Sequence, residues 1–165
     1  MKALRSLSTV LALCATLLAP ALANAQGLFR AYLKSTGSDA NPCTIAAPCR
    51  LLPTALSAVA SGGEIWILDS ANFNTSTVTI GKSVTILAIP GATGSVIATG
   101  GAQAISINAP GVQVALRNLV ILPGPGTGTS GITMTAGDRL SVERCLIHGL
   151  VYGAAIPVST GVCGR

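Results

Sequence analysis

Val114-Ala-Leu-Arg-Asn-Leu-Val-Ile121 and Leu140-Ser-Val-Glu-Arg-Cys-Leu-Ile147 are two copies of one pattern, 26 residues apart. Position by position they pair Val with Leu, Ala with Ser, Leu with Val, Arg with Glu, Asn with Arg, Leu with Cys, Val with Leu and Ile with Ile. Repetition at that period is the signature of stacked coils rather than of a globule around one closed core. A stacked solenoid has a dry aliphatic interior and a long outer surface, so any chemistry must sit outside.

Alternation along a strand sends successive side chains to opposite faces. It predicts Val114, Leu116, Leu119 and Ile121 inward, with Leu140, Val142, Cys145 and Ile147 one layer up. The spacing is two, three, two, and the step of three implies a bend at Arg117-Asn118 and at Glu143-Arg144. Val84, Ile86 and Ile89 repeat the start of the pattern one layer down. Each buried aliphatic contributes about 1.5–3 kcal/mol before entropy is subtracted. Arg117 and Glu143 take equivalent outward positions, so they are expected to form an exposed ion pair across neighbouring strands, about 4.8 Å apart. Such a pair marks register and adds little stability.

Composition agrees. Aromatic residues make up 3% of the chain and charged residues 9%, against 19 glycines. A narrow stacked interior is filled by Val, Ile, Leu and Ala, while Gly and Pro mark corners between short strands. Further strands are expected over Phe29–Leu33, Glu64–Leu68, Thr77–Ile80, Val84–Leu87, Ser95–Thr99 and Ala104–Asn108. Leu52, Ala55, Leu56 and Val59 fall on one helical face, predicting a helix over Leu51–Ala60 that Ser61-Gly62-Gly63 ends. Placed before the coils, that helix would cover the open end of the stack.

The chain begins with Lys2 and Arg5, an apolar run from Leu7 to Leu22 broken by Pro20, and Ala23-Asn24-Ala25. This has the form of a secretory signal peptide over residues 1–25. A lipoprotein reading at Cys14 fails because Leu13 precedes it. The run is too short and broken for a stable membrane span. Loss of Lys2 and Arg5 lowers the formal charge from +5 to +3, too weak and scattered for nucleic acid. The expected localisation is extracellular or periplasmic. There a disulfide is permitted, and Cys43 and Cys49, flanking a short loop, are expected to form one. With one His in the chain, zinc lacks ligands; no metal or cofactor is expected. Cys145 reads as a small buried hydrophobe, and Cys163, in the tail, as free. Asp39 admits a catalytic or metal-ligating role, but capping its own turn is favoured because Asx-turns are common in such loops.

The run Ser35-Thr-Gly-Ser-Asp-Ala-Asn-Pro-Cys43, then Ala47-Pro-Cys-Arg50, the Leu51–Ala60 helix and Gly62-Gly-Glu-Ile-Trp-Ile67 resembles the opening of secreted proteins of the pectin lyase-like superfamily. The rungs resemble their coils. The resemblance spans about Phe29 to Leu150. It implies an all-β fold, a right-handed parallel β-helix with a short N-terminal capping helix. The domain plan is a strand, disulfide loop and cap over 26–63, coils over 64–150, and an irregular tail over 151–165.

Family enzymes carry clustered Asp and Glu, or several Asp with a Gly-His-Gly segment. Here the rungs supply Glu64, Asp69, Asp138 and Glu143 without a paired set, and Ile147-His148-Gly149 lacks the first Gly. The chain also supplies fewer coils than such enzymes. It is expected to be a truncated relative, or to have its last layer covered by a partner, with self-association through the uncapped C-terminal coil.

Three functions follow. The favoured one is a non-catalytic exported module, structural or binding a polysaccharide or cell-envelope surface. A polysaccharide lyase or glycoside hydrolase would have to draw on His148, Glu143, Arg117 or Arg144. An adhesin would use the Leu122–Thr129 loop, which reads equally as a tolerated corner insertion.

Overall fold

The computed structural model of the protein describes residues 27–125, 129–155 and 161–164. The expected signal peptide therefore lies outside the described residues. The chain forms a parallel β-solenoid with three sheets. Sheet A stacks β1 (Leu28–Leu33), β2 (Val59–Ile67), β5 (Val84–Ala88), β8 (Gln113–Arg117), β11 (Arg139–Glu143) and β14 (Gly161–Gly164). Sheet B stacks β3 (Ala71–Asn72), β6 (Gly94–Ala98), β9 (Leu119–Pro123) and β12 (Leu146–Ile147). Sheet C stacks β4 (Val78–Ile80), β7 (Ile105–Asn108), β10 (Ser130–Ala136) and β13 (Tyr152–Ala155). The chain visits A, B and C in turn, and neighbouring strands pair in parallel.

The expected aliphatic columns are present. Ile65, Ile86, Leu116 and Val142 are successive register partners in sheet A. The first three are fully buried, and Val142 packs half-buried against the core. Leu119 and Ile121 continue the interior in sheet B, and Val78, Ile105 and Ile132 in sheet C. Cys145 and Ile147, assigned inward, are only half-buried, since they lie at the end of the sheet B stack, where no further described strand covers β12. At the first bend of β5 it is Ala88 that is buried, with Ile89 half-buried beside it.

Both predicted bends have a backbone cause. Asn118 and Arg144 adopt left-handed conformations, with φ of 55° and 53°. Asn is among the residues that tolerate this region. The Asn118 side-chain amide donates to the carbonyls of Ala88 and Ala92 on the winding below, at 3.1 and 3.3 Å. Asn74, almost fully buried, also ties one winding to the next. Its Nδ2 donates to the Ile97 carbonyl and its Oδ1 accepts from the Ile97 amide, both at 2.8 Å.

The cap differs from expectation. The helix, α1 (Leu52–Ala58), stops before Val59, which already belongs to β2. Pairing with β1 outweighs helical spacing here: Leu28 pairs with Val59 and Arg30 with Glu64. The residues between them, including Gly62 at φ 82°, form a bulge instead of a helix stop. The helix packs against β1, β2 and β4. The free edge of β1 is covered by the 43–49 loop. Covering the open end is thus shared between a helix and a loop. Asp39 takes a different part from capping its own turn. Its Oδ1 accepts the amides of Arg50 and Leu51 at 3.0 and 2.9 Å, and so fixes the entry to α1.

After Leu150 the expected irregular tail contains β13, paired with β10, and β14, paired with β11. Small residues, Gly153 and Ala154 in β13 and Gly161 and Gly164 in β14, carry too weak a hydrophobic alternation to show as strands in the sequence.

Candidate binding face

The three outer faces differ chemically. Sheet B presents Asn72, Ser95, Ile97, Val120, Leu122 and Leu146, mostly apolar; sheet C presents Thr79, Ser106 and Thr133. Among the described residues, sheet A alone carries ionisable groups in neighbouring columns together with a groove. Register fixes its layout. One outward column is Ser83, Gln113 and Arg139; the next is Arg30, Glu64, Thr85, Ala115 and Ser141; the third is Tyr32, Trp66, Leu87, Arg117 and Glu143.

A shallow groove crosses β5, β8 and β11. Its floor is Thr85, Ala115 and Ser141, all small. Gln113 and Arg139 stand on one side, Arg117 and Glu143 on the other. Because the strands run across the stack, the groove runs along the solenoid axis.

The expected Arg117–Glu143 pair is present, with Arg117 Nε 3.2 Å from Glu143 Oε2 and both side chains about half exposed. The other carboxylate oxygen, Oε1, accepts the Ser141 hydroxyl at 3.0 Å. At the capped end of the same face, Arg30 pairs with Glu64 at 2.7 Å and lies 4.0 Å from the centre of the Trp66 ring. Trp66 Nε1 donates to Glu64 Oε2 at 3.0 Å. Tyr32 meets Trp66 edge to face, 6.4 Å between centroids. Hydrogen bonding to Glu64 raises the Arg30 pKa above its ordinary value, so its positive charge is secure.

The residues singled out for catalysis are only partly brought together. Arg117 and Glu143 touch; Arg144 is exposed at the bend between sheets A and B. His148 follows β12, exposed, and its main-chain amide donates to the Ile121 carbonyl at 3.1 Å. Glu64 lies with Arg30, and Asp69 accepts the Ser35 amide at 2.8 Å, so both carboxylates hold the N-terminal region together. Among the described residues no group of three or more His, Cys, Asp or Glu is placed to hold a metal ion, and no helix is long and apolar enough to cross a membrane. The Cys43–Cys49 disulfide is formed, with the Cα atoms 4.6 Å apart. Cys145 is unpaired among the described residues; the side chain of Cys163 lies outside them, as do residues 126–128 of the 122–129 loop.

Sequence reasoning missed the Arg30–Tyr32–Glu64–Trp66 cluster. Its signal is the alternation in Arg30-Ala-Tyr-Leu33 and Glu64-Ile-Trp-Ile67, which sends the polar and aromatic members outward. That the two segments are neighbours needs the β1–β2 pairing.

Comparison with protein-family models, with curated proteins and with solved structures returned no match.

Proposed function

We propose that the protein is an exported β-solenoid of the pectin lyase-like kind that binds an extended polysaccharide along the outer face of sheet A without cleaving it. The axial groove over Thr85, Ala115 and Ser141 carries this reading. A linear polymer laid along the axis meets an equivalent floor residue at each winding, about 4.8 Å apart. The floor offers hydroxyls and a methyl group, and the rims offer an amide and guanidinium groups. These are the donors and acceptors that sugar hydroxyls need.

Binding without cleavage is favoured by the state of the carboxylates. Glycoside hydrolysis typically uses two carboxyl groups flanking the bond, one giving a proton and one attacking or activating water. On this face Glu64 is engaged by Arg30 and Trp66, and Glu143 by Arg117 and Ser141. Export is supported by the form of residues 1–25 and by the disulfide, which persists in oxidising compartments.

The test is a glycan-binding screen with the wild-type protein, Ala115→Trp and Arg139→Ala. The tryptophan should fill the groove and abolish binding while thermal unfolding stays close to wild type. Binding that survives both changes, a screen with no ligand, or shortened glycan products would each overturn the proposal.

A further inference from the structure

β1 is the end strand of sheet A, so among the described residues one of its edges has no strand partner. An open edge of this kind is a template for unwanted pairing. Here the 43–49 loop lies along it. Tyr32 donates its amide to the Cys43 carbonyl at 2.9 Å and accepts the Cys49 amide at 2.9 Å. Lys34 donates to the Cys49 carbonyl at 3.1 Å. These main-chain bonds from the loop to β1 and its continuation all end on the two cysteines. Among the described residues, the other bonds of the loop tie it to the segment before it, from Ser38 and Asn41 to the Pro48 carbonyl, and to itself, from Ala47 to Thr44, and none of these reaches β1. Both cysteines are fully buried, and Cys43 is held in the left-handed region at φ 60°.

We propose that the Cys43–Cys49 bridge is a redox latch: oxidised, it seals the β1 edge and, through Tyr32, fixes Trp66; reduced, it lets the loop leave β1. The connection is continuous. The cysteines hold both main-chain groups of Tyr32, and the Tyr32 ring packs edge to face on the Trp66 indole. Closing the latch takes two electrons and two protons from the two thiols. A disulfide-form oxidant receives them and is left as two thiols. A dithiol reverses the step and departs as its own disulfide. The bridge closes a short loop, so its loss returns conformational freedom mainly to that loop. The rest of the stack keeps its own contacts, since each winding rests on its neighbours.

Hydrogen exchange and tryptophan emission test the latch. Trp66 is the one tryptophan of the chain, so its emission reports this site alone. Two samples are compared with the oxidised protein: the wild type treated with excess dithiol, its free thiols counted by mass after alkylation, and Cys43→Ala/Cys49→Ala. In both, exchange at the main-chain amides of Tyr32, Lys34 and position 49 should accelerate about 10- to 100-fold. Trp66 emission should move to longer wavelength, with β5, β8 and β10 still protected. Unchanged exchange and emission in the reduced protein would overturn the latch. So would loss of protection throughout β5, β8 and β10, or reduction that occurs only when those strands open, because the loop would then not move by itself. Should the double variant fail to fold, the dithiol-treated wild type decides.

Discussion

Asn118 and Arg144 occupy the same corner on successive windings and share a left-handed backbone, φ 55° and 53°. Only Asn118 is suited to it. For an L-residue with a long side chain the left-handed region costs about 1–2 kcal/mol, and Asn relieves part of that by local hydrogen bonding. Arg144→Asn should therefore raise stability by about 0.5–1 kcal/mol, seen as a melting temperature a few degrees higher. Asn118→Ala should lower stability by about 2–3 kcal/mol, through the backbone conformation and the carbonyls left without their donor.

The sheet A column sets a second expectation. Leu116 is fully buried between Ile86 and Val142, whereas Val142 is half-buried. Leu116→Ala should cost about 2–5 kcal/mol by denaturant unfolding, because the rigid layers above and below limit collapse into the cavity. Val142→Ala should cost about 1 kcal/mol, in proportion to its smaller buried area. Equal costs would mean that the column is not layered as described.

Arg117–Glu143 is half exposed on both sides. A double-mutant cycle on this pair should return no more than about 1 kcal/mol, falling toward zero at about 1 M salt as screening removes the attraction. Coupling unchanged by salt would contradict the exposed geometry.

Cys145 is partly shielded, its Sγ 3.5 Å from both the Leu116 and Glu143 carbonyls. Burial raises its thiol pKa above the ordinary value, because the thiolate loses solvation. Alkylation of Cys145 in the folded protein should be slower at neutral pH than that of an exposed thiol. The sign for stability follows. The folded state keeps the proton while the unfolded chain has already lost it, so the contribution is whole below the ordinary thiol pKa and declines from there up to the raised one. Alkylation rate against pH, and stability over the same alkaline range, check both halves.

Much of the interior could be read from the chain because burial imposes alternation on every strand. Leu116, Leu119 and Ile121 declared themselves in this way, and Arg117 with Glu143 gave the register. The short strands Ala71–Asn72 and Tyr152–Ala155 did not, because two residues, or a run of Gly and Ala, leave no alternation to detect. The helix end was misplaced because spacing at Val59 fits either structure, and only the neighbouring β1 decides between them. The binding face was half legible. Arg117 and Glu143 followed from the repeat, while the link from Arg30 and Tyr32 to Glu64 and Trp66 crosses 34 positions of chain and depends on tertiary pairing.

The sealed end also gives the molecule a direction. Its seal is built from residues 28–58, the first of the described fold to be synthesised, and every later winding can settle on a surface that is already finished. Folding can therefore advance winding by winding in step with the emerging polypeptide, each new strand pairing with one from the winding before it.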